Sequence, residues 1–207
     1  MAVLSTPLTE GHETQGRARI RRRTGVALVL TAAMVWLAVG APDLRAQASN
    51  PKEYQIKAIF LFNFIQFVEW PASAFDDAGA PIRIGVLGDD PFDGALEAAV
   101  QGEKIRQRAL VVQRAHRIGD LSGCHVIFVC RSERGSIGKI IPAVGDKPIL
   151  TVGDMPDFAH WGGIINFYLE GQKVRFEINR VAAQRCGLKL SSQLLRLARI
   201  VGPAVEG

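Results

Sequence analysis

From Pro81 onward, short apolar runs rich in β-branched residues alternate with runs at helical spacing, and no other property of the chain narrows its fold as far. Ile82-Arg83-Ile84-Gly85-Val86-Leu87 reads as a strand. Asp90-Pro91-Phe92 reads as the start of a helix, with Asp as cap and Pro suited to the first turn. Strands follow over Leu110 to Val112, His125 to Cys130 and Pro148 to Val152. A helix capped by Ser132, with Glu133 in its first turn, falls between the last two. Alternation of this kind predicts a mainly parallel sheet flanked by helices. The pattern then changes. Gly163 to Leu169, a Glu170-Gly171 turn and Lys173 to Asn179 alternate as a β-hairpin does, with Phe176 and Ile178 on one side and Arg175, Glu177 and Asn179 on the other. Ala182 to Cys186, a Gly187 stop and an apolar helix from Ser191 to Ile200 end the pattern. The predicted class is α/β: a mixed, mainly parallel sheet flanked by helices, Rossmann-like and three-layered, with a C-terminal β-hairpin and helix.

Ahead of the alternating region, Pro51 to Trp70 predicts a helix with apolar residues at Tyr54, Ala58, Leu61, Phe62, Ile65 and Val68, stopped by Pro71. A second row, Phe60, Phe64 and Phe67, widens the apolar stripe and leaves Lys52, Lys57, Asn63, Gln66 and Glu69 as its polar side. A helix so nearly surrounded by apolar side chains packs into the body of a domain or offers part of its aromatic face to a partner.

The first 48 residues have the three zones of a cleavable export signal. Arginines at 17, 19, 21, 22 and 23 come first, then an uncharged run of 17 residues from Thr24 to Gly40, then the A-x-A pattern Ala46-Gln47-Ala48. Cleavage is expected after Ala48, leaving one domain over residues 49–207 that does not itself span a membrane. The alternative is a retained anchor helix, since a span needs about 17 to 25 residues. The segment holds six of the 25 basic residues and three of the 20 acidic ones, so its removal takes the formal charge from +5 to +2. With that, a basic surface for nucleic acid loses its support.

Cys124, Cys130 and Cys186 all lie in the remaining part, and an odd count in an oxidising compartment leaves at least one thiol unpaired. Cys124 and Cys130 flank an extended run, which at ~3.3 Å per residue sets them near ~20 Å apart and excludes a bond between them. Cys186 can pair with either or stay a buried thiol.

Ligands of such sheets bind beyond the carboxyl ends of the strands. Three loops meet that description: Gly88-Asp89-Asp90, Arg131-Ser132 and Gly153-Asp154. Asp89, Asp90, Arg131, Ser132 and Asp154 are therefore the candidate ligand-binding residues, although helix caps and turns use the same residue types. The histidines His116, His125 and His160 have no zinc spacing, no G-x-S-x-G elbow occurs, and Gly138-Lys139 is followed by Ile140 where a phosphate loop needs Ser or Thr. No catalytic residue, metal site or cofactor is predicted.

Several segments occur in a fixed order: Phe64-Ile65-Gln66-Phe67-Val68-Glu69-Trp70-Pro71, Val86-Leu87-Gly88-Asp89-Asp90-Pro91-Phe92, Cys124-His125-Val126-Ile127-Phe128-Val129, Arg131-Ser132-Glu133-Arg134, Leu150-Thr151-Val152-Gly153-Asp154, Gly162-Gly163-Ile164-Ile165-Asn166-Phe167, Phe176-Glu177-Ile178-Asn179 and Leu188 to Ala198. This ordered set, over Glu53 to Ala198, resembles the YfiR family of bacterial periplasmic proteins. The resemblance implies a non-enzymatic, homodimeric repressor. Such a protein binds the periplasmic sensing part of an inner-membrane diguanylate cyclase and holds down cyclic-di-GMP synthesis and biofilm formation. It also implies a bridge from Cys124 to a position that is cysteine in many relatives and Gly85 here, so disulfide control is not expected to carry over. The expected partner surface is drawn from exposed members of the first helix, Phe64, Phe67 and Trp70, and of the last, Leu194, Leu195 and Leu197. The alternative function is a periplasmic small-molecule-binding module, without a cyclase partner, that uses the polar loops.

Overall fold

A computed structural model describes residues 51–202, and the predicted export signal lies outside them. In chain order the elements are helix α1 (Pro51–Phe67), strand β1 (Val68–Glu69), β2 (Ile82–Leu87), α2 (Ala95–Val100), β3 (Lys104–Ile105) and β4 (Arg108–Ala115). Then come β5 (Val126–Val129), α3 (Ile137–Val144), β6 (Leu150–Gly153), β7 (Ile165–Glu170) and β8 (Lys173–Asn179). The last are α4 (Arg180–Arg185), β9 (Lys189–Leu190), α5 (Ser192–Leu197) and β10 (Arg199–Val201).

Eight strands form one sheet in the order β10-β8-β7-β6-β5-β2-β4-β3. The five from β7 to β4 are mutually parallel, β8 and β3 run against their neighbours, and β10 is parallel to β8. The predicted mixed, mainly parallel three-layer fold is what forms. Val126-Ile127-Phe128-Val129 is buried at every position because helices cover both faces of the sheet. Val126 and Phe128 meet α1, α2 and the C-terminal helices through Leu61, Ile65, Leu96 and Leu194. Ile127 and Val129 meet α3 through Ile137, Ile140 and Val144.

Tertiary contacts move several boundaries away from their sequence expectations. The first helix ends at Phe67, ahead of Trp70 and Pro71, because Val68 and Glu69 pair antiparallel with Leu190 and Lys189 and the Ser191 N–H donates to the Phe67 carbonyl at 2.9 Å. No helix starts at Asp90. Its carboxylate instead accepts the Phe92 N–H at 2.8 Å in a local turn, and α2 begins only after Gly94, at φ 81°. Ser132 caps nothing either: it lies in a 3-10 turn, Arg131–Ser136, that precedes α3. Strand β4 is longer than Leu110 to Val112 and turns back on β3 through Arg106 and Gln107, both at positive φ, without the Asn or Gly that marks such a turn in sequence. The final helix stops at Leu197, and Arg199–Val201 becomes β10, held by Arg199 on the buried Glu177 carboxylate. The β7–β8 hairpin forms as expected, with Phe167 opposite Phe176 and Gly171 at φ 61° in its turn.

Candidate functional site

Within the sheet, β4-β2-β5-β6-β7 repeats the 2-1-3-4-5 order of doubly wound folds, whose switch point, the usual ligand crevice, falls between the first and third strands. Here that place is between the carboxyl ends of β2 and β5, and the structure brings the three sequence-predicted loops together there. The Asp89 N–H donates to Ser132 Oγ at 2.9 Å. Arg131 Nε donates to the Asp154 carbonyl at 2.8 Å and lies 3.4 Å from Asp154 Oδ2. Asp90 turns outward to Arg114, at 2.7 Å from Nε. The loops touch so closely that a Cβ on Gly88, at φ 97°, would come within 2.4 Å of Ser132 Oγ. Only glycine meets both conditions.

Helix α1 fills the rest of the crevice with residues that sequence reasoning did not place there. Tyr54 donates its hydroxyl to Asp154 Oδ2 at 2.5 Å, and Lys57 Nζ reaches the same oxygen at 2.8 Å. One turn back, Glu53 Oε1 is 2.5 Å from Lys57 Nζ and 3.8 Å from Arg131 Nη2. Lys57 is 1% and Asp154 2% exposed, so two opposite charges are shut away from water. The four charges of Glu53, Lys57, Arg131 and Asp154 alternate in sign and cancel, which is the condition under which buried ions persist. Asp154 Oδ1 is buried without a protein partner. Burial, reinforced by the Asp154 charge, pushes the Tyr54 phenol far above its ordinary value and keeps it a donor. Burial, and then Asp154, likewise push the Cys130 thiol up, leaving it without nucleophilic character. Helical periodicity groups Lys57 with the polar side of α1. The available clue was Glu53 four residues ahead of it, an ion-pair spacing inside an otherwise apolar stripe.

Cys124, Cys130 and Cys186 are all free and buried. Burial pushes Cys124 up to about 11, and Gln113 Nε2 donates to its sulfur at 3.1 Å. Among the described residues, no three His, Cys, Asp or Glu side chains are grouped to hold a metal, and no helix is long and apolar enough to cross a membrane.

The candidate partner residues divide by depth. Phe64 and Leu194 are core residues, 1% and 2% exposed, so the expectation that they present a surface is corrected. Phe64 stacks on Phe167 at 5.4 Å between centroids and meets Phe176 edge-on at 4.9 Å. Phe67, Trp70 and Leu195 are half-buried against the same core. Leu197 is 70% exposed. Sequence reasoning missed Ile56 and Ile59, which stand on the outer side of α1 at 43% and 56% exposure. Ile59 borders a groove of about 660 Å³ between α1 and the segment from Pro91 to Ala99.

Fold and site together define a doubly wound α/β domain whose switch-point crevice is occupied by its own first helix. The chain belongs to the YfiR/HmsC-like family, whose profile matches residues 54–199. That family is one of periplasmic, non-catalytic regulators in cyclic-di-GMP signalling. Among solved structures, the chain is similar to a conserved domain protein from Vibrio cholerae O1 biovar El Tor strain N16961, at 13% identity and a TM-score of 0.48. The match covers 71% of this chain and 59% of that one.

Proposed function

We propose that this protein, exported and cleaved after Ala48, is a homodimeric periplasmic repressor that binds the sensing part of an inner-membrane diguanylate cyclase. Family membership supplies the signalling context. The observation that carries the binding role is the exposed pair Ile56 and Ile59 on α1, one helical turn apart with Ile59 lining an open groove, while the polar loops of the crevice are taken up by internal bonds. A domain on one side of a membrane controls an active site on the other only by binding one conformation of the membrane protein better than another. A preference of about 1–3 kcal/mol suffices for regulation. Ile56 and Ile59, with Leu197, Phe67, Trp70 and Leu195 as further contributors, form the apolar surface for that contact.

The test is the double replacement Ile56→Asp and Ile59→Asp. Cyclic-di-GMP in cells carrying it should rise to the level of a deletion strain, and the cyclase should no longer be recovered with the protein from membranes. Unfolding free energy should stay within about 0.5 kcal/mol, as for surface changes generally. Full repression by the folded double variant would remove α1 from the interface. No cyclase recovered with the unaltered protein, and no change in the nucleotide on deletion, would end the proposal.

A further inference from the structure

On the face of the sheet opposite α1, the outer side of α3 borders a second, open cavity of about 800 Å³, lined by α3, the turn leading into β7 and the end of α4. This is within the size range of small-molecule sites. Its walls are apolar, with Ile137, Ile141 and Pro142 on one side and the indole of Trp161 on the other. Trp161 is 42% exposed, and its turn holds it there. The Phe158 ring is clamped between Gly153 and Gly163, where a Cβ would fall 2.6 and 2.2 Å from ring carbons. Asn179 Nδ2 donates to the Ala159 carbonyl at 2.8 Å, and the Trp161 N–H to the Asp157 carbonyl at 2.9 Å. A turn whose backbone is held by a buried anchor keeps the Trp161 position at the surface, so the apolar area of its side chain is available to a ligand.

The rim of this cavity is basic. Arg185 pairs with Asp146 at 2.9 Å, whereas Arg134 has no carboxylate partner among the described residues. Two guanidinium groups against one carboxylate leave one planar fork of donors, the geometry that receives carboxylates and phosphates. We propose that this cavity binds an amphiphilic anion, its apolar body between Trp161 and the Ile141–Pro142 wall and its carboxylate or phosphate on Arg134, with Arg185 adjacent.

The probes are decanoate and decyl phosphate, below their micelle-forming concentrations, with decanol and decyltrimethylammonium as neutral and cationic controls. They are titrated by calorimetry and by tryptophan fluorescence in a Trp70→Phe background, which leaves Trp161 as the emitter, against protein recovered from the periplasm of cells making the full chain. Both anions should saturate one site per chain, roughly tenfold tighter than decanol, and Arg134→Gln should remove most of that difference. Gly138→Leu tests the location, because a Cβ at Gly138 meets no atom within 4 Å and the longer side chain projects into the cavity. It should abolish binding without loss of thermal stability. Sedimentation with phosphatidylglycerol vesicles but not phosphatidylcholine vesicles, lost in Gly138→Leu, would make the source of the anion a lipid headgroup. Binding of the free probes alone would make it a free amphiphile. Decanol binding as tightly as decanoate, affinity unchanged in folded Gly138→Leu, or no saturable binding would each overturn the proposal.

Discussion

Lys57 is a buried ammonium held between the carboxylates of Glu53 and Asp154. Replacing it by Met keeps the volume but leaves both carboxylates facing an apolar group, which should cost about 3–5 kcal/mol in urea unfolding. Adding Asp154→Leu should recover part of that loss, so the two changes together cost well under the sum of the separate ones, the signature of a coupled pair. An additive result would show that the two residues act independently. Gly85 offers a different residue-scale test. A Cβ placed there lies 3.0 Å from Cys124 Sγ, so a cysteine at 85 is within bonding reach without backbone movement. Gly85→Cys should therefore oxidise to a single intramolecular disulfide, visible as the loss of two free thiols, and raise unfolding free energy by about 2–4 kcal/mol over its reduced form. Four titratable thiols after oxidation would rule the geometry out. The i,i+4 spacing reaches Glu53 beside Lys57, and the family resemblance sets position 85 beside Cys124, but no spacing argument reaches Asp154, 97 residues from Lys57.

Between elements, the connection from α1 to β2 is tied down by one imidazole. His125 Nδ1 accepts the Arg83 N–H at 3.1 Å, and Nε2 contacts the Ala74 carbonyl at 3.0 Å, so the neutral ring with its proton on Nε2 satisfies both. Phe75 stacks on the ring at 4.5 Å, and Arg108 lies over Phe75 at 3.9 Å while donating to the carbonyls of Asp77 and Ala80. Burial holds the imidazole below its ordinary value. The Ala74 carbonyl and, more weakly, Asp76 oppose this, while Arg83 and Arg108 add to it. Because the unfolded chain takes up the proton first, stability is intact above the unfolded histidine value of about 6.5 and declines as pH falls toward and through the folded one. Thermal midpoints measured from pH 7.5 to pH 5 should drop more for the unaltered protein than for His125→Asn. Equal slopes would clear His125 of the effect. At this scale the sequence was most readable where burial is two-sided or the turn carries glycine, as in β2, β5 and the β7–β8 hairpin. It misled where a backbone partner distant in the chain decides the state, as at Val68 and at Arg199 to Val201.

At the scale of the whole molecule, the alternation of strands and helices sufficed for the fold class, and the rule about carboxyl ends picked out three loops that lie against one another. The occupant of the crevice was out of reach, because a helix read as an apolar stripe does not reveal which turn of it faces a carboxylate 97 residues away. That separation has a consequence in time. Synthesis delivers α1 long before β6, so Tyr54 and Lys57 must wait about one hundred residues for Asp154. Contacts of such long range close late and slow folding. Throughout that interval α1, with its long apolar stripe and the Lys57 ammonium paired only with Glu53, is open to solvent and to any chain-binding chaperone. The helix that plugs the finished fold is thus made early and docks late, and its docking marks the completion of the domain.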